Sequence, residues 1–235
     1  MKRGEKKNSP VPLSEVAFQQ IKSQIVHLAL LPGEQIDETV MAETLGIGRT
    51  PIRESLFRLA AEGLLQVKTG RGFFVRDITL DDIKDLFETL LVLERAAVAL
   101  AARRIGGSGI GRLERLNEEF QAAWKRRHFL DVTLANSRFH RELYAATENA
   151  FMRTYLNSLQ TQSQRLAYIC FTRPAAIDLE AHAEESIRDH HLLIVRLKEK
   201  DEVGAVELIT GHIQRFRKQV ADYTTPALLD LGHVA

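Results

Sequence analysis

The sequence predicts a mainly α protein built from an N-terminal winged helix-turn-helix and a C-terminal all-helical bundle. Three observations predict it. Residues 14–76 read as helix, helix, helix, hairpin. From Thr79 onward apolar residues recur almost entirely at helical spacing. Beyond the N-terminal arm, positive charge is concentrated in the third helix and the hairpin: residues 45–76 carry six basic and two acidic side chains, a net of +4, whereas 77–94 carry six acidic residues against Lys84.

The bulk numbers set the outer limits. With 235 residues, 45% apolar, the chain can bury one large core or two smaller ones. Its net charge is only +1, so a nucleic-acid surface has to come from local asymmetry. Cys170 is the single cysteine, which excludes an intrachain disulfide framework and suits a reducing compartment. The opening MKRGEKKNSP is basic without an apolar signal core, and no apolar run reaches spanning length, so a cytoplasmic protein with no membrane partner is expected.

Taken in order, residues 1–13 read as a flexible basic arm. "EVAFQQIKSQIVHLAL", with Ser14 as its N-cap, places Val16, Ile21, Ile25 and Leu28 at helical spacing, and "LPGEQI" stops it. Asp37 caps "ETVMAETL", which Gly46 ends. Gly48 precedes "RTPIRESLFRLAAE", where Pro51 falls in the first turn and Gly63 closes the helix. "LLQVK" and "FFVR", joined by "TGRG", form a hairpin, completing a DNA-binding domain over 14–77. Thr79 with Asp82 makes a capping box. Helices follow near 80–105, 110–126, 129–147, 150–172, 177–199 and 202–223, with breaks at 106–109, 127–128, 148–150, 173–175 and 198–202. They make a bundle over 78–224 and leave 225–235 as a tail. The first of these helices is apolar on most faces, which suits a central or interface position.

A helix, a tight glycine turn and a second helix place the leading residues of that second helix in a major groove. Arg49 and Arg53 lie one turn apart there, and arginine matches guanine O6 and N7 with two parallel hydrogen bonds. Thr50 and the helix N-terminus suit phosphate oxygens. Thr69, Gly70 and Arg71 form the wing tip, where glycine lets backbone approach DNA and Arg71 meets a phosphate or the minor groove.

These residues also carry a resemblance. Residues 15–76, through "LPGEQIDETVMAETLGIGRTPIRESLFRLAAEGLL" and "GRGFFV", resemble the winged helix-turn-helix of the GntR superfamily of bacterial transcription regulators. The resemblance implies that Arg49, Arg53 and the wing around Gly70 contact operator DNA. The chain has Thr39 where the family often has a basic residue, and Gly48 where it often has serine.

The bundle holds three histidines of interest. His190 is eleven residues before Asp201 and His212 eleven after it. At about 1.5 Å per residue both lie about 16 Å from the turn, level with each other in an antiparallel hairpin. His140 has to join from a third helix, with Asn136 one turn before it on the same face. Three imidazoles and an oxygen suit zinc, nickel, manganese or iron without choosing among them. His27, His128, His182 and His233 read as solvated or structural, and His191 as pointing off the site.

Residues 80–220 resemble the FCD effector domain of FadR-type GntR regulators, through "LVLERAAVALAA", "FHRELYAATENAFM" and "DHHLLIVRLKEKDEVGAVELITGHI". The resemblance implies a divalent metal held by Asn136, His140, His190 and His212, with Asn136 standing for the usual aspartate, and a small effector such as a carboxylate held with its help. Leu90 replaces an arginine that often binds that carboxylate. Arg95, Gln164 and Arg165 are candidates on nearby helices. The function implied is a ligand-responsive regulator, a repressor, acting as a homodimer on double-stranded operator DNA. The alternatives are a constitutive regulator with a vestigial or structural metal pocket, and a metal-dependent enzyme. Against the enzyme, the chain shows no well-placed general base, nucleophile elbow or phosphate loop.

Overall fold

The computed structural model describes residues 11–172 and 179–230, the last seven of them as backbone only. Most of the expected basic arm, the break at 173–175, the end of the tail and His233 lie outside the described residues. The chain divides into two compact units, 1–77 and 78–235.

The first unit contains α1 (Leu13–Val26), β1 (Gln35–Ile36), α2 (Glu38–Leu45), α3 (Arg49–Ala61), β2 (Leu65–Lys68) and β3 (Gly72–Val75). The apolar repeat of α1 buries Ala17, Phe18, Ile21 and Ile25, and α3 answers with Ile52, Leu56 and Leu59, all fully buried. Ser55, wholly enclosed between the two helices, sets its hydroxyl 2.7 Å from both Ser14 O and Pro51 O, so no polar atom is stranded at that contact. Asp37 caps α2 by accepting from the Thr39 and Val40 amides, and Gly46 closes it at φ 63°.

Three expectations change here. The first helix stops at Val26, not near Leu30, because Leu28 turns into the left-handed region at φ 58°, a stop that carries no glycine signal. Pro12 rather than Ser14 occupies its N-cap. The stretch read only as a stop also supplies β1, whose Gln35 and Ile36 pair with Phe74 and Phe73 to give the sheet order β1-β3-β2. A two-residue strand is too short to show an alternating pattern.

The second unit contains α4 (Leu80–Arg104), α5 (Gly107–Lys125), α6 (Phe129–Ala146), α7 (Ala150–Thr172), α8 (Leu179–Lys198) and α9 (Glu202–Asp230). Thr79 and Asp82 form the capping box in full. α4 packs chiefly on α9, α5 lies against α6 and α8, and α6 against α7. The main core gathers Phe87, Leu90, Val98, Leu113, Phe139, Leu193 and Ile209, among others. α5 begins at Gly107, three residues before the predicted start, and absorbs Gly109. A Cβ at that glycine would lie 2.7 Å from Ile105 Cγ1, so close packing rather than a break explains it. α9 runs to Asp230, so the expected tail is helical for its first half. Arg127, Glu148 and Lys200 end α5, α6 and α8 with positive φ values near 51–59°.

Truncating Ile52 to alanine leaves a cavity where α1 and α3 meet. Urea unfolding followed through the first unit is expected to show a loss of about 2–5 kcal/mol.

Candidate functional sites

The third helix presents two faces. Ile52, Ser55, Leu56 and Leu59 point into the core, while Arg49, Thr50 and Arg53 are exposed. Gly48 stands at its N-cap and offers no side-chain hydrogen bond, which leaves the leading amides available to an anion. Arg53 Nε is 3.9 Å from Glu38 Oε2, a loose surface pair that leaves its side chain 64% exposed. The Val40 and Thr39 amides, followed by the charge of Arg49, hold the Asp37 carboxyl below its ordinary range.

Not every basic side chain in this stretch is free to read DNA. Arg58 pairs with Glu15 at 2.9 Å and lies 4.0 Å over the Phe18 ring, so it belongs to the α1 contact. Lys68 stands 4.3 Å over Phe74. At the wing tip Thr69, Gly70 and Arg71 are exposed. Gly70 and Gly72 adopt φ 73° and 88°, and the turn closes through Arg71 N to Lys68 O at 2.9 Å. Gln35 Nε2 donates to Arg71 O at 2.7 Å, tying β1 to the tip. No sequence pattern pointed to Gln35, because the bond joins residues 36 apart.

In the bundle, α6, α8 and α9 bring His140, His190 and His212 together. Their candidate ligand atoms lie within 4.8 Å of one another. The hairpin arithmetic holds: the rings of His190 and His212 are 5.2 Å apart, and His140 lies 5.5 and 5.4 Å from them. His190 Nδ1 contacts Asn117 Oδ1 at 3.3 Å, and His212 Nδ1 contacts Asp189 Oδ2 at 3.1 Å. His140 Nδ1 is 3.5 Å from Glu94 Oε1, a charge contact longer than a well-formed hydrogen bond. The Nδ1 atoms of His190 and His212 are turned to outer partners, while His140 Nδ1 and His190 Nε2 are buried without a hydrogen-bond partner. Asn136 lines the same cavity as His140 and His212.

Glu94, Asn117 and Asp189 are the outer partners that sequence reading did not assign. Burial opposes ionisation of Glu94, but His140 and the Tyr144 hydroxyl outweigh it and hold the carboxyl below its ordinary range. Tyr144 donates to Glu94 Oε1 and lies 3.2 Å from Gln160 Oε1. Burial, then the Glu94 charge, pushes the Tyr144 phenol well up. Asp189 also accepts from Arg215. Arg95 is exposed, and Gln164 and Arg165 are buried while α7 gives the cavity Gln160, Ser163, Ala167 and Phe171 instead. His191 is exposed, as expected, and His128 pairs with Asp131 at the surface.

The FCD domain family matches residues 85–215, and the family of bacterial regulatory proteins, gntR family, matches 13–75. The chain is 26% identical over 208 residues to the HTH-type transcriptional regulator YdhC of Bacillus subtilis, covering 88% of this chain and 90% of that one. It is 23% identical over 213 residues to the HTH-type transcriptional repressor RspR of Escherichia coli, covering 91% of each. In structure it is similar to McbR/YncC of Escherichia coli, with a TM-score of 0.80 at 24% identity over 90% of this chain and 98% of that one. A regulator from Rhodococcus superimposes at 0.72 and 18%, over 88% and 97%. At these identities the structural likenesses speak for the fold.

Burial first, and then the charges of His212 and His140, pull the His190 pKa well below its ordinary 6.5. Such a group takes up its proton on unfolding. Its contribution to stability is therefore complete above 6.5 and drains away as pH falls below it. Metal-free protein in chelator is expected to lose melting temperature below that pH, and His190→Gln to flatten the acid limb, in thermal unfolding scanned from about pH 8 to 5.

Proposed function

Since the chain belongs to the FCD-domain regulators of the bacterial gntR family, we propose that it is a cytoplasmic, ligand-responsive repressor whose bundle binds a divalent metal and, with it, a small effector. DNA binding and transcriptional regulation come with the family. The observation that carries the ligand-responsive part is the convergence of three imidazoles beside a cavity inside the bundle.

The residues fit a metal on their own chemistry. Three imidazoles converge, the Nδ1 atoms of His190 and His212 face Asn117 and Asp189, and His140 Nδ1 and His190 Nε2 are buried with no hydrogen-bond partner of their own. His140, His190 and His212 would hold the ion, with Asn136 as the oxygen donor. An amide oxygen brings no negative charge, so affinity and selectivity differ from those of a carboxylate site. The ion would supply a fixed positive charge to hold an acidic effector, and zinc, nickel, manganese and iron all suit the donor set.

On the DNA side, Arg49 and Arg53 read base edges, Thr50 and the open α3 amides hold phosphate, and Thr69, Gly70 and Arg71 follow the backbone from the wing. A homodimer addresses two half-sites of a near-palindromic operator. Exposed Phe151 and Tyr155, one turn apart on α7, and Val92 on α4 offer apolar surface for a second copy to cover. Effector and operator affinities are then linked, and repression is relieved by ligand. Among the described residues no helix is long and apolar enough to cross a membrane. The name RspR carries makes that relative a repressor, which favours repression here.

Arg53→Ala is expected to weaken binding to an operator selected from random duplexes by about 1–3 kcal/mol in gel-shift titration. Unchanged specific binding would remove Arg53 from the reading surface. Elemental analysis of tag-free protein purified without chelator is expected to give about one metal per chain in wild type and none in His190→Ala. Metal absent from both after incubation with zinc, nickel or manganese sinks the metal assignment and leaves the DNA reading intact.

A further inference from the structure

The walls of the cavity beside the histidines say which acid it would take, an inference that rests on the metal reading above. The cavity measures about 60 Å³, room for about four to six waters. No lysine or arginine contributes to its wall among the described residues, and Glu94 is its one carboxylate.

Three phenylalanines do contribute: Phe120, Phe171 and Phe216. Each is backed by another ring. Phe171 stacks on Phe129 at 5.8 Å and 10° and lies 5.9 Å from Trp124. Phe216 meets Phe87 edge-on at 5.3 Å. Phe120 lies 5.5 Å from His190. Leu90, 3% exposed, adds a branched apolar surface. This is an aromatic wall fixed before any ligand arrives.

Charge narrows the choice further. Arg215 lines the adjoining recess, but its guanidinium donates to Asp189, which takes up its charge. A divalent ion at the histidines therefore meets one carboxylate in the cavity, Glu94, and one net positive charge remains. A single anionic head neutralises that charge. A second carboxylate on the ligand would meet no lysine or arginine in the wall, only phenylalanine rings and uncharged side chains such as Thr133, Ser163 and Gln219, and a buried charge so placed is costly.

We infer that the pocket selects a monocarboxylic acid with an aromatic body, its carboxylate toward the metal site and its ring toward Phe171 and Phe216, and rejects dicarboxylates. The test is isothermal titration of full-length, zinc-loaded protein, with zinc content measured on the same sample, against benzoate, cyclohexanecarboxylate, acetate and succinate. Benzoate is expected to bind at least about tenfold more tightly than acetate or succinate, and several-fold more tightly than cyclohexanecarboxylate. Phe216→Leu, which keeps the site filled, is expected to reduce the preference for benzoate over cyclohexanecarboxylate. Leu90→Arg is expected to turn the preference toward succinate. Succinate or acetate binding as tightly as benzoate to zinc-loaded wild type overturns the inference and leaves the metal reading standing. Equal binding of cyclohexanecarboxylate overturns its aromatic part. Failure of zinc to load overturns the metal reading, and the inference falls with it.

Discussion

The bundle is organised around a problem of desolvation. His190 is 1% exposed, Glu94 3%, His140 4% and Asp189 6%, and a polar or charged group removed from water is costly unless something replaces the lost solvent. Each replacement comes from a different helix. Asn117 on α5 meets His190 on α8, and Asp189 on α8 meets His212 on α9. Tyr144 on α6 meets Glu94 on α4 and Gln160 on α7. Every helix of the second unit therefore has one polar group whose register is set by another helix. An apolar core tolerates small slips, but a buried carboxylate does not, because a slip leaves it unpaired. The polar centre fixes how the helices are placed, and the aromatic and aliphatic residues fill the space that remains.

The same arrangement makes the centre a sensible place for a signal. An ion or acid bound there would interact with three histidines on α6, α8 and α9 at once, and through Glu94 with α4. Only four residues separate the end of β3 in the wing from the start of α4, so the helix that shares the buried carboxylate is the one joined most directly in the chain to the DNA-binding unit. Whatever free energy an occupant contributes to one arrangement of these helices is the most it can contribute to a change in operator affinity.

Much of this was legible in the sequence, and what was not has physical reasons. His190 and His212 could be paired in advance because a helical hairpin converts equal distances from its turn into equal heights. The wing was legible because Gly70 and Gly72 stand at positive φ, where other residues seldom go. The end of α1 was not, since Leu28 makes the same left-handed turn without glycine. Asn117 was invisible for a different reason: its partner is 73 residues away, and nothing local marks an asparagine as the support for a distant imidazole. The aromatic wall was hidden likewise, because Phe120, Phe171 and Phe216 follow ordinary helical spacing and only the tertiary fold shows that they share a cavity.

Two departures from the family pattern, Asn136 and Leu90, make physical sense together. An aspartate at 136 and an arginine at 90 would add one negative and one positive charge to the walls around the site. Asparagine and leucine remove one of each. With a divalent ion and Glu94 the net charge is +1 in either case, so the overall demand for an anion is unchanged. Its distribution is not. In the pattern that the resemblance implies, part of the positive charge sits on an arginine that often binds an effector carboxylate. Here it would be gathered at an ion held by the histidines, and the place of the arginine is taken by a buried leucine in the wall that also carries phenylalanine rings. With a divalent ion in place, the pair of differences would keep the overall demand for an anion while exchanging a charged side chain for an apolar floor.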